Sequence, residues 1–130
     1  MAIPTPEPEL RAQPTILIVD DDLPFRRAAA ELLADRGFRV VGCASTAEEA
    51  VAECRRLAPD AVLLDVRLPD GNGVELVSTL RAVPAPPKVV LTSSDHAAAP
   101  PERVRNSGAS GFVPKSQLAN SDLHAFFSGD

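Results

Sequence analysis

Four short stretches of the chain carry residue types that can do chemistry together. Asp20-Asp21-Asp22 closes one apolar run, Asp65 closes a second, Thr92-Ser93 a third, and Lys115 follows a fourth that contains Phe112. Carboxylates, hydroxyls and an ammonium suit the handling of a phosphoryl group, provided that the chain brings them together. Gathered carboxylates repel one another, at about 4 kcal/mol for a pair roughly 4 Å apart with an effective dielectric near 20. Such a cluster persists at neutral pH only with a compensating cation or with raised pKa values. Mg²⁺ fits the need, as a hard ion that takes one or two carboxylates together with waters and a phosphate. The chemistry this suggests is phosphoryl transfer onto a carboxylate, with the metal and Lys115 neutralising the phosphoryl oxygens.

These residues meet only if the elements carrying them lie side by side with like ends together. Thr15-Ile-Leu-Ile-Val-Asp20 is apolar on both faces and β-branched, as expected of a strand covered on both sides. A helix over 23–36 follows, with Phe25, Ala29, Leu32 and Leu33 on one stripe and Gly37 as its stop. Residues 38–43 read as the second strand. Ser45-Thr-Ala-Glu48 is a capping box for a helix whose Ala47, Ala50, Val51 and Cys54 share a face. Residues 61–65 form the third strand, and 67–73 a loop with turn chemistry in Pro69, Asp70 and Gly71. A helix over 73–82 precedes the fourth strand at 88–92. Pro100-Pro101 opens a short helix through Val104. Residues 111–113 are the fifth strand and 116–127 the last helix. Strands alternating with helices in this way give an α/β protein with a doubly wound (βα)5 parallel sheet. Sites in such sheets lie at the carboxyl ends of the strands, where Asp20, Asp21, Asp65, Thr92 and Lys115 fall.

The 130 residues make one domain, with 45% hydrophobic and 24% charged residues, which excludes disorder of the whole chain. A net charge of −5 leaves nothing basic for a polyanion, and Trp and Tyr are absent as stacking residues for single strands. No apolar run is long enough to span a bilayer, and MAIPTPEPEL has no secretory pattern, so a cytoplasmic location is expected. Cys43 and Cys54 match no metal or redox spacing and read as reduced, half-buried fillers. Residues 1–14, with Pro4, Pro6, Pro8 and Pro14, read as a flexible tail ahead of a domain over 15–128.

The stretches ILIVDDD (16–22), PDAVLLDVRLPDGNG (59–73), VVLTSSD (89–95) and GASGFVPKS (108–116) resemble, in order, the receiver domain of bacterial two-component response regulators. The resemblance runs from about residue 15 to 127 and implies the flavodoxin-like strand order 2-1-3-4-5. It implies that Asp65 is the phosphoacceptor and that Asp20, Asp21, Asp65 and the Arg67 backbone carbonyl hold Mg²⁺, Asp21 directly and Asp20 largely through water. By the same resemblance Thr92 and Lys115 bond the phosphoryl group, Phe112 is the aromatic switch, and Ser93 leaves room. The donor would be a histidine kinase or a phosphotransfer protein. The output would be contact with a downstream protein through the fourth and fifth strands and the helices after them, as a monomer or a phosphorylation-dependent dimer. No direct contact with nucleic acid or membrane is expected, and the chain reads as a stand-alone phosphoacceptor rather than an enzyme.

The Lys115-Ser116 pair and LPDGNG resemble the subgroup joined to a helix-turn-helix domain, so the alternative is the receiver module of a DNA-binding regulator. An aspartate-nucleophile phosphohydrolase would need a second aspartate two residues after the nucleophile, where this chain has Arg67. Among the remaining polar residues, Asp22 reads as a helix N-terminal charge, and Asp70 and Asn72 as turn formers. His124 reads as a solvated side chain, and His96 as a loop residue with no second histidine at ligand spacing.

Overall fold

Apolar runs with no polar face become sheet interior, because each face of the strand must meet a helix instead of water. The computed structural model describes residues 13–95 and 97–128. In chain order it contains β1 (Thr15–Val19), α1 (Leu23–Asp35), β2 (Arg39–Ala44), α2 (Ala47–Leu57), β3 (Ala61–Asp65), α3 (Gly73–Arg81), β4 (Lys88–Ser93), α4 (Pro101–Ser107), β5 (Gly111–Pro114) and α5 (Leu123–Ser128). The strands form one parallel sheet in the order β2-β1-β3-β4-β5, the flavodoxin-like arrangement that was expected. β1 and β3 are neighbours although β2 lies between them in the chain. The order therefore switches at their carboxyl ends, which is where a site belongs.

Alternation along each strand builds two cores. Ile16, Ile18, Leu63, Val90 and Val113 pack with Ala29 and Leu33 of α1 and with Leu118 and Leu123. Leu17, Val19, Val62, Leu64 and Leu91 pack with Ala50 and Cys54 of α2, Val77 and Leu80 of α3, and Val104 of α4. Each fully buried Leu, Ile or Val contributes about 1.5–3 kcal/mol of transfer free energy. No described helix is long and apolar enough to cross a membrane.

Several local expectations need correction. The last helix is broken: Lys115–Asn120 winds as a 3-10 segment, Ser121 is extended at φ −97° and ψ 151°, and only then does α5 begin. Pro114 enters this segment in an extended conformation, and the polar Asn120-Ser121-Asp122 favours local side-chain bonds over helix; Ser121 Oγ donates to Gln117 O at 2.7 Å. The cap of α2 sits one residue later than expected, with Thr46 Oγ1 accepting from Glu49 N. Glu49 reaches back to the Ser45 amide and hydroxyl. β2 begins at Arg39, leaving Phe38 as a buried core ring just before it. The helix opened by Pro101 runs to Ser107. Both cysteines are free, yet Cys43 is exposed while Cys54 is buried, and burial pushes the Cys54 thiol up to about 11. The expected tail lies outside the described residues apart from Gln13 and Pro14, and His96 lies outside them too.

Candidate functional site

The site forms because parallel pairing puts strand ends level. Asp65 pairs with Thr92 across β3 and β4, and Thr92 with Val113 across β4 and β5. β1 leaves the sheet at Asp20, whose amide still bonds Ala44 O at 2.9 Å. Asp20 is fully buried and held on several sides. Its Oδ1 accepts from Asp22 N at 2.9 Å, and its carbonyl accepts from Arg26 Nη1 at 2.7 Å. Asp65 is 6% exposed, with Oδ1 accepting from Arg67 N at 3.1 Å.

One carboxylate oxygen from each of Asp20, Asp21 and Asp65 lies within 4.8 Å of the others. Lys115 follows β5 and reaches into this group, with Nζ 2.7 Å from Asp20 Oδ2 and 3.5 Å from Asp65 Oδ2. From below, Nζ sits 4.2 Å from the centre of the Phe25 ring, where the negative face of the aromatic adds a weak attraction. Asp20 Oδ2 meets Lys115 as an ion pair but has no aligned hydrogen bond.

Burial is the main force on Asp65, and with the nearby Asp20 charge it raises the carboxyl pKa from 3.8 to about 6. The Arg67 amide and Lys115 offset part of that rise. Lys115 is pulled down by burial, but its bond to Asp20 and the charges of Asp65 and Asp20 outweigh this and raise it. When ionised, the three carboxylates exceed the one ammonium by two charges. A divalent cation would balance them, and three convergent hard carboxylate donors fit Mg²⁺ in kind.

The other expected residues surround this cluster. Thr92 is buried beside Asp65 in register, with its hydroxyl donating to Val113 O at 2.6 Å. Ser93 Oγ accepts from Asp95 N at 3.1 Å. Arg67 turns its side chain outward to an ion pair with Asp95 at 2.7 Å. Phe112 is half-buried against the core on the α2, α3 and α4 side, and is not among the charged residues. Asp22 holds the N-cap position of α1 but makes no side-chain cap bond.

Some roles differ from expectation. Asp70 does more than form a turn: its carboxylate accepts from Ala47 N at 2.7 Å and Glu48 N at 3.1 Å, at the start of α2. Asn72 caps α3 by accepting from Val74 N at 2.8 Å. His124 is not simply solvated, since its ring stacks on Phe38 at 4.2 Å. Gly73 returns the chain so closely that a Cβ there would fall on the Asp65 carbonyl oxygen. A cleft of about 430 Å³ lined by Arg81, Lys88, Ser110 and Phe126 lies at the amino ends of β4 and β5, away from the carboxylates.

Comparison with known proteins agrees with this geometry. The family described as response regulator receiver domain matches residues 16–127. The DNA-binding transcriptional activator DevR/DosR of Mycobacterium tuberculosis is 41% identical over 102 residues, which cover 77% of this chain and 46% of that protein. The photosynthetic apparatus regulatory protein RegA of Cereibacter sphaeroides is 35% identical over 118 residues, 90% of this chain and 63% of that protein. A protein-glutamate methylesterase/protein-glutamine glutaminase of Idiomarina loihiensis is 34% identical over 102 residues, 77% of this chain and 26% of that protein. The chain therefore spans less than two thirds of the length of these curated relatives. Among solved structures, a LuxR-family two-component response regulator from Aurantimonas superposes with a TM-score of 0.80 at 28% identity, covering 89% of this chain and 84% of that one. A CheY-like receiver domain from Methylobacillus flagellatus gives 0.77 at 26% identity, covering 88% and 98%. Five parallel strands in this order, with these carboxylates at their ends, place the chain in the response regulator receiver domain family.

Proposed function

We propose that this chain accepts a phosphoryl group on Asp65 from a phosphohistidine of a histidine kinase or phosphotransfer protein, and signals by changing its affinity for a protein partner. The observation that supports this most is the convergence of Asp65 with Asp20, Asp21 and Lys115 at the carboxyl ends of the strands. In the transfer, an Asp65 carboxylate oxygen bonds to phosphorus as the phosphorus–nitrogen bond of the donor breaks. The electron pair of that bond stays on the imidazole nitrogen, which takes a proton from water. With a pKa of about 6, Asp65 is mostly ionised at neutral pH and ready as a nucleophile.

Asp20, Asp21, Asp65 and the Arg67 backbone carbonyl are the residues that would hold Mg²⁺, with Asp21 direct and Asp20 largely through water. When bound, the metal would neutralise phosphoryl oxygens and lower the cost of bringing them to a carboxylate. Lys115 would exchange part of its pairing with Asp20 for a phosphoryl oxygen. Thr92 would give up Val113 O to donate to the same group, which adds about −1.5 to −2 charge. Freed from Thr92, the β5 backbone would shift along with Phe112, altering the surface of β4, α4, β5 and α5. A state change of this kind goes only as far as the phosphoryl group's differential interaction with the two states. The unit would be residues 15–128, acting in the cytoplasm as a monomer or phosphorylation-dependent dimer. It would assist its own phosphorylation and dephosphorylation without turning over a separate substrate.

A second reading is that the same switch controls a DNA-binding output domain outside this sequence. It is favoured by the names and greater lengths of relatives such as DevR/DosR. Intact-mass measurement after incubation with a small phosphodonor tests the shared step. A gain of one phosphoryl group that requires Mg²⁺ and is absent from Asp65→Asn is expected. No adduct and no donor consumption would refute it.

A further inference from the structure

We infer that Asp70 is a positioning residue for the metal-binding loop: it ties the tip of the ribbon leaving Asp65 to the start of α2, and so holds Arg67 against Asp65. This rests on the reading that Asp20, Asp21, Asp65 and the Arg67 carbonyl hold Mg²⁺. After Val66 the chain runs out through Arg67–Leu68, turns at Pro69-Asp70 and returns antiparallel through Gly71–Asn72. The base of this ribbon is well fixed. Arg67 N donates to Asp65 Oδ1 at 3.1 Å, Gly73 N to Val66 O at 2.6 Å, and Val74 N to Asn72 Oδ1 at 2.8 Å.

The tip depends on Asp70, whose Oδ1 accepts from Ala47 N at 2.7 Å and Oδ2 from Glu48 N at 3.1 Å. Those amides belong to the first turn of α2, where helical N–H groups have no partner in their own helix and the dipole favours a carboxylate. The tip lies close to the helix, since a Cβ built on Gly71 would stand in ordinary contact, 3.8 Å from the Ala47 Cβ. An isolated two-strand ribbon this short has little stability of its own. The anchor at its tip therefore adds to the base contacts in setting how firmly the Arg67 carbonyl is presented to the site. The Arg67 side chain cannot do this, because it is exposed and paired with Asp95.

The test is calorimetric titration of Mg²⁺ into the full chain, for the parent, Asp70→Ala, Asp70→Asn and Thr46→Ala, with amide exchange at Arg67 followed by NMR. Asp70→Ala is expected to weaken Mg²⁺ binding about tenfold, the usual cost of losing a residue that orients a metal ligand, and to speed Arg67 exchange. Asp70→Asn keeps one of the two acceptor oxygens and turns a donor NH₂ toward the other amide, and is expected to fall between the parent and Asp70→Ala. Thr46→Ala removes the bond to Glu49 N without touching the ribbon, and is expected to leave affinity unchanged. Parent-like binding by Asp70→Ala would overturn the inference. So would equal weakening in Thr46→Ala, which would assign the effect to α2. A parent that takes up no Mg²⁺ would instead remove the proposed metal site, and this inference with it.

Discussion

Removing the charge of Asp65 should make the protein more stable, even though Asp65 is its proposed phosphoacceptor. Burial and the neighbouring Asp20 raise its pKa from 3.8 to about 6 in the folded state. A rise of about two units corresponds to about 3 kcal/mol at roughly 1.4 kcal/mol per unit. The folded state thus binds this proton more tightly than the unfolded state does. The group carries no penalty below about pH 4; the penalty grows as pH rises and is complete above about pH 6. Asp65→Asn keeps the acceptor for the Arg67 amide, and the 3.5 Å pairing with Lys115 is already counted in the net rise, so the gain should be about 1–3 kcal/mol. Urea unfolding followed by circular dichroism, in EDTA at about pH 8 and again near pH 4.5, measures it. The variant should exceed the parent at the higher pH, and the gain should shrink to about a third of that at the lower. Mg²⁺ should then stabilise the parent much more than the variant. A variant no more stable than the parent at pH 8, or an equal gain at both pH values, would refute the electrostatic account of the site.

Other outcomes follow from single contacts. Gly73→Ala forces a Cβ onto the Asp65 carbonyl and should cost about 3 kcal/mol or more in urea unfolding, with loss of Mg²⁺ binding. Thr92→Val leaves Val113 O without its 2.6 Å donor in a buried setting and should cost about 1–2 kcal/mol, read in the same assay. A thiol reagent at neutral pH should modify Cys43 quickly and Cys54 only after unfolding, since Cys54 is buried with a pKa of about 11; mass spectrometry of the labelled peptides checks this.

The sheet and the charged site were legible because both follow from one-dimensional patterns. Runs such as Ile16–Val19 and Val62–Leu64 are apolar on successive residues, which only a strand covered on both faces can use. Parallel strands then bring their carboxyl ends level, so the polar residue after each run had to face the others. What escaped depends on distant or finely balanced choices. The Asp70 cap joins residues 22 and 23 positions apart, with no local signal that α2 would stand opposite the turn. Phe25 reads as core from its helical stripe, and only the arrival of Lys115 from beyond β5 shows what its ring supports. Ser45 and Thr46 are both good cap residues, and the one-residue difference was decided by where β2 ends, at Ala44. The break at Ser121 reflects a close contest between helix and side-chain bonds that periodicity does not weigh.

The position of Lys115 has a consequence for how the molecule is made. Asp20 and Asp65 belong to strands that are synthesised early and pair directly, whereas the ammonium between them is carried by the segment after the last strand. On the ribosome, β1 and β3 can associate while their two carboxylates face each other before the Lys115 ammonium is in place. That repulsion opposes early closure of the sheet's centre and is relieved only when β5 docks on β4. The charge arrangement thus links the first and last strands of the domain energetically. It penalises a stable half-formed sheet, and so favours acquisition of the whole domain in one cooperative step once β5 is available.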